Sequence, residues 1–170
     1  QALETLSADP DAQALAEASA SPEYSAAYRI GLQAYIYGLP LLTTNTTFLT
    51  MTSSDVSQGA FGPVNTFHSN RGANNATSTA VVAPGATSLS SIAWLDLTAG
   101  PQVLHVPRVT EHAFVLALID PYTTNLANLG SASQTPPGDY VVRDPQQRLV
   151  PVPAGARALD VDYSRIWIIG

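Results

Sequence analysis

Asp120 closes an almost wholly apolar segment, Ala113 to Ile119, and is followed by Pro121, Tyr122, Thr123, Thr124 and Asn125. A carboxylate at the end of a buried strand, partly withdrawn from water, suits acid–base work or ligand binding. Tyr122, Thr123 and Asn125 would offer hydroxyls and an amide to a bound molecule beside it. The competing reading, favoured by residue type, is an Asp that caps the chain reversal opened by Asp-Pro.

A second constellation lies in Asn65-Thr66-Phe67-His68-Ser69-Asn70-Arg71. Here His68 would shuttle protons, and Arg71 would clamp an anion through its planar fork. Together with Asp120 as general base or ligand, these residues describe a hydrolase-like site. The plainer alternative is a loop stitched together by side-chain hydrogen bonds. His105 and His112, with Glu111 adjacent, flank a short turn and are weak metal candidates. A third well-spaced ligand is missing, so no metal and no cofactor is expected.

Other signatures of chemistry do not appear. Gly85-Ala86-Thr87-Ser88-Leu89 does not match a nucleophile elbow, and nothing in the spacing joins Ser88 or Ser90 to His68 and Asp120. No Gly-rich loop suited to phosphate occurs. Asn45-Thr46-Thr47 and Asn75-Ala76-Thr77 fit the glycosylation pattern but read as coincidence in so Asn- and Thr-rich a chain.

The elements that must position these residues change character along the chain. Residues 1–20 form an acidic, Ala-rich arm. Ser21-Pro22-Glu23 supplies an N-cap, a proline at the first helical position and an acid in the first turn. Apolar residues then recur at helical spacing from Tyr24 through Tyr28, Leu32, Tyr35 and Leu39, predicting a helix over 21–52. Pro40 should kink or end it. The stripe Tyr24, Tyr28, Tyr35 reads as helix-to-sheet packing, with a ligand groove as the alternative. A long loop is expected over 53–80. Short strands are expected at 79–83, 91–97, 102–106, 112–119, 139–143, 148–152 and 164–169. The fold class is therefore α+β: an N-terminal helix, kinked near Pro40, packed on a mainly antiparallel β-sandwich.

Composition narrows the function classes. The chain has 170 residues, enough for one domain with a real core. Only 12% of residues are charged, so the surface must rely on Ser, Thr, Asn and Gln. All seven basic residues are Arg, and the net charge of −6 falls mostly on the first 23 residues. No basic face suited to nucleic acid is visible. There is no cysteine and no apolar run of about 18 residues that could span a membrane. A start at Gln1 without a signal sequence, together with the Lys-free surface, predicts a mature secreted or periplasmic protein. Because the apolar segment Arg165 to Ile169 is followed only by Gly170, the chain also reads as a fragment, or one piece of a longer protein.

Ordered segments then point to a family. They are Ala34-Tyr35-Ile36-Tyr37-Gly38-Leu39-Pro40, Ala93-Trp94-Leu95-Asp96-Leu97 and Leu104 to Pro107. Ile119-Asp120 with Tyr122-Thr123 and Asn125, Gly130, Gly138-Asp139-Tyr140 and Arg165-Ile166-Trp167-Ile168-Ile169-Gly170 complete the series. In this order they resemble the DUF1254 family of bacterial proteins. The resemblance implies a helical N-terminal portion and a β-sandwich-like domain, to which many members add a β-rich DUF1214 domain; this chain shows no counterpart of that domain. It implies no settled reaction. Two elements usual in the family, Asn-Asn-Asp-Thr-Leu-Tyr and Gly-Arg-Tyr-Tyr, are replaced here by residues 85–90 and by Glu111-His112-Ala113-Phe114. The expectation is a binding or assembly module that pairs a sheet edge, strand 164–169, with a second β-rich domain, a partner chain or a copy of itself. A hydrolase-like enzyme built on Asp120, His68 and Arg71 is the alternative.

Overall fold

Ser21 opens a helix as its type requires: its hydroxyl accepts the Tyr24 N–H at 3.0 Å, satisfying one orphan donor of the helix start. Helix α1 runs from Pro22 to Met51 and passes through Pro40 without ending. In the turns beyond Pro40, Thr46, Thr47 and Thr50 donate their hydroxyls to carbonyls four residues earlier. The computed structural model describes residue 19 and residues 21–56, 59–72, 74–75 and 85–170. The acidic arm and the strand expected at 79–83 lie outside the described residues, apart from Ser19 in the arm. The chain divides into two units, Gln1–Pro40 and Leu41–Gly170.

The first unit contributes α1 up to Pro40, whose side chains Tyr28, Ile30, Tyr35 and Ile36 are exposed. Tyr24 and Tyr28 stack with ring centroids 6.4 Å apart, as residues one turn apart on a helix can.

The second unit holds the last turns of α1 and, among the described residues, eight strands. These are β1 (His68–Asn70), β2 (Ser90–Asp96), β3 (Gln102–Val106), β4 (Leu116–Ile119), β5 (Asn125–Leu129), β6 (Gly138–Arg143), β7 (Arg157–Asp160) and β8 (Arg165–Ile169). One sheet has the order β1-β2-β8-β4-β5 and is antiparallel throughout. The other has the order β3-β6-β7, with β3 antiparallel and β7 parallel to β6. The parallel pair is possible because residues 144–156 provide the long crossover such pairing needs. The architecture is thus α+β, with one α-helix and two mostly antiparallel sheets among the described residues, the sheets not closing into a barrel.

Alternation explains the core. Ala93, Leu95, Leu116, Leu118, Ile166 and Ile168 point from the large sheet into one cluster with Leu104, Val106, Tyr140 and Val142 of the small sheet. The opposite face of the large sheet presents Trp94 and Trp167. Trp94 is covered by Phe48 and Met51 from the end of α1, and Ala60, Phe61, Val64 and Trp167 pack around that cluster. With both faces of β2 covered, the strand is buried through four consecutive residues.

Three sequence expectations need correction. Residues 148–152 form no strand: Asp144 accepts the Gln146 N–H, a turn follows, and Leu149 is fully exposed. Only Leu116–Ile119 of the expected 112–119 strand pairs, because the Phe114 N–H is taken by the Ser131 hydroxyl instead of a sheet neighbour. Strand 164–169 is no edge either. As β8 it lies between β2 and β4, hydrogen-bonded on both sides, with Ile166 and Ile168 fully buried.

Candidate functional site

The outer face of the large sheet carries the most developed site of the second unit. Register places Trp94 opposite Trp167 and Asp96 opposite Arg165 on β2 and β8. The two indoles stack at 4.9 Å with their planes 3° apart, and Phe48 meets Trp94 edge-on at 5.5 Å. The Trp94 indole N–H points at the Met51 sulfur, 3.4 Å away. The buried Trp167 Nε1 has no acceptor among the described residues.

Arg165 completes this face. Its guanidinium carbon lies 4.3 Å from the centroid of the Phe48 ring, and its Nη1 donates to Asn45 Oδ1 at 2.7 Å. Leu41, Thr44, Trp94 and Pro121 join these residues around a cleft of about 60 Å³. Across the strand pair, the Asp96 carboxylate faces inward to its own turn: Oδ1 accepts the Thr98 hydroxyl at 2.6 Å and the Thr98 N–H at 3.0 Å. Partial burial pushes the Asp96 pKa up, but the two Thr98 hydrogen bonds and the positive charge of Arg165 outweigh it. The net effect holds the group below its ordinary value.

Asn65 supports this region in a way no pattern announced. Its side-chain amide accepts the Asp96 N–H at 2.9 Å and donates to the Asp96 carbonyl at 3.1 Å. It therefore supplies the pairing that β1, too short, does not extend to this level.

The expected site residues fall in separate places. Asp120 is buried at the β4–β5 hairpin, where its Oδ1 accepts the N–H groups of Tyr122 at 2.9 Å and Thr124 at 2.8 Å. Its carbonyl accepts the Thr123 N–H, and Thr123 adopts a positive φ of 68°. This is a side-chain-capped turn. Tyr122 leans toward Tyr163, with ring centroids 5.9 Å apart, and Asn125 donates to Asn128 Oδ1. Tyr122, Thr123 and Asn125 thus shape the hairpin around Asp120.

His68 lies on β1, buried, with Nε2 3.1 Å from the Pro63 carbonyl. Its ring rests on Gly62: a Cβ there would come within 2.4 Å of it. Arg71 is exposed just beyond β1. Because β2 and β8 intervene between β1 and β4, three strand spacings, about 14 Å, separate His68 laterally from the β4 strand, and Asp120 lies three residues beyond Ala117, the position level with His68. The sheet does not bring His68, Arg71 and Asp120 into one site.

His105 pairs across β3 and β6 with Asp139, Nδ1 to Oδ1 at 2.6 Å, while His112 lies in an exposed loop. The His105–Asp139 pair is largely solvated, so it adds little to stability. No group of three or more His, Asp or Glu residues placed to hold a metal occurs among the described residues.

Two facing sheets, the helix α1 and a cleft floored by Arg165 and Trp94 define an α+β sandwich-type domain. The sequence profile of DUF1254, described as a protein of unknown function, matches residues 64–170, and the chain belongs to this family. Among solved structures, the VPA0106 protein from Vibrio parahaemolyticus matches with a TM-score of 0.60 and 23% identity, over 80% of this chain and 30% of that one. At this identity the likeness is one of fold. The chain spans less than a third of that protein's length. No curated protein matches the sequence.

Proposed function

We propose that the chain is a non-enzymatic binding and assembly module, exported from a bacterial cell, whose N-terminal helix is the surface that takes up a partner. The carrying observation is the apolar exposure of α1. Tyr28, Ile30, Tyr35 and Ile36 are 61–66% exposed, and at about 100° per residue these positions are spread around the helix. A helix apolar on all sides is at home in a protein interior or a membrane. No described helix is long and apolar enough to cross a membrane, so a protein surface is the fitting cover. A second β-rich domain or chain, or another copy of this chain, would supply it. The less-than-one-third coverage of a longer structural relative supports the same view, and the Lys-free, weakly charged composition supports export.

The hydrolase-like alternative draws no support from the geometry. Asp120 is engaged in a turn, and His68 lies two strands beyond its reach.

Sedimentation of the purified chain tests the proposal, beside the variant Tyr28→Glu/Ile36→Glu. The wild type should form dimers or larger assemblies at micromolar concentration, and the variant should sediment as a monomer with its far-ultraviolet spectrum unchanged. A wild type that stays a monodisperse monomer, as soluble as the variant, overturns the reading.

A further inference from the structure

We propose that the cleft at Arg165 binds the carboxylate group of a small organic acid or of a peptide C-terminus. This site lies wholly in the second unit and stands or falls independently of the assembly surface on α1. Four observations converge on it.

Arg165 is a half-buried cation with no carboxylate in direct contact. Among the described residues Arg143 pairs with Asp160 and Arg148 with Asp162, but no carboxylate lies in contact with the Arg165 guanidinium. The nearest acid across the strand pair, Asp96, gives Oδ1 to Thr98. Asp96 feels this charge only from a distance, so a half-buried guanidinium without a contacting counter-charge gains when an anion reaches it.

The guanidinium is also held in place. Phe48 supports it from below and Asn45 fixes one nitrogen, which leaves the remaining N–H donors of the planar fork for another acceptor. Two parallel N–H groups match the two oxygens of a carboxylate.

The walls fit the rest of such a ligand. Leu41, Phe48, Trp94 and Pro121 are apolar, and Thr44 places a hydroxyl-bearing side chain on the same lining. A volume of about 60 Å³ holds roughly four waters at about 15 Å³ each. That matches a carboxylate with two or three carbons, or the last residue of a chain whose remainder stays in solvent.

Finally, the two tryptophans of the protein are both at this site, Trp94 in the wall and Trp167 stacked on it. An occupant must change their shared environment, which gives the protein a built-in reporter.

The experiment is a titration of intrinsic tryptophan fluorescence at constant ionic strength, using propionate and N-acetylalanine as probes against propionamide and N-acetylalaninamide. Saturable changes with the acids and none with the amides are expected. Propionate alone would identify a free acid as the ligand, and N-acetylalanine alone a chain terminus; both support a carboxylate site. Arg165→Gln should weaken binding at least tenfold, and Arg165→Lys, which retains charge but loses the fork, should fall between. If Arg165→Gln does not fold, the Lys variant carries the comparison. The proposal is overturned if neither acid gives a saturable change, if the amides act equally, or if binding is indifferent to Arg165.

Discussion

Replacing Asp120 separates a structural carboxylate from a catalytic one. In the structure its Oδ1 accepts two backbone N–H groups, from Tyr122 at 2.9 Å and Thr124 at 2.8 Å, and the residue is buried. A hydrogen bond to a charged group contributes about 1.5 kcal/mol or more, so Asp120→Ala, which removes both and strands the two donors, should cost about 3 kcal/mol. Asp120→Asn keeps an acceptor oxygen in the same place and loses only the charge, for about 1 kcal/mol. With a urea slope of about 2 kcal/mol per molar, the unfolding midpoints should drop by about 1.5 M and 0.5 M. Equilibrium unfolding followed by tryptophan fluorescence measures both. The reasoning fails if Ala and Asn cost the same, or if both lie within about 0.5 kcal/mol of wild type. Equal costs would mean that the charge, and not the acceptor oxygen, holds the hairpin; two near-neutral variants would mean that the carboxylate does not hold it at all.

Two further perturbations probe the outer face of the large sheet. Gly62→Ala should destabilise by about 2 kcal/mol, since the new Cβ would meet the buried His68 ring and the backbone φ of 154° disfavours a side chain. Adding His68→Ala should recover part of that cost, and a double-mutant cycle that is strictly additive would contradict the contact. Asp96 should contribute to acid stability: its depressed pKa gives a stabilisation complete above the ordinary value of 3.8, and lost as pH falls through the folded-state value below it. Comparing wild type with Asp96→Asn in urea at a series of pH values should therefore show a gap that closes only on the acid side.

Local signals in the chain were readable where a residue's role depends on its neighbours in sequence. Ser21-Pro22-Glu23 announces a helix start, and the Ser21 hydroxyl caps it. The apolar alternation of β3 and β8, and the continuous apolar runs of β2 and β6, are visible because each buries at least one face against the core. β1 and β5 end the large sheet and β7 ends the small one, and β1 and β7 are also short. Their polar residues, such as Asn125 and Asn128, look like loop because an edge strand can face water. The place of β8 was misread for a different reason. Sheet order is decided by pairing between distant segments, and a run such as Arg165 to Ile169 looks alike at an edge and at the centre. The cleft was equally hidden, since Arg165 and Asn45 meet across a separation of 120 residues. Asp120 carried two readings of one residue type, and only the hydrogen bonds of the hairpin distinguish a cap from a base.

The central place of β8 has a consequence for how the molecule is made. The strand that joins the β1–β2 pair to the β4–β5 hairpin is the last of the eight to leave the ribosome. Until it arrives, β2 and β4 each present an unsatisfied side, and Trp94 waits for its stacking partner Trp167. Closure must bring together segments far apart in the chain, the kind of contact that slows folding and leaves nascent intermediates sticky. Synthesis thus imposes an interval in which the half-built sheet is open to strangers.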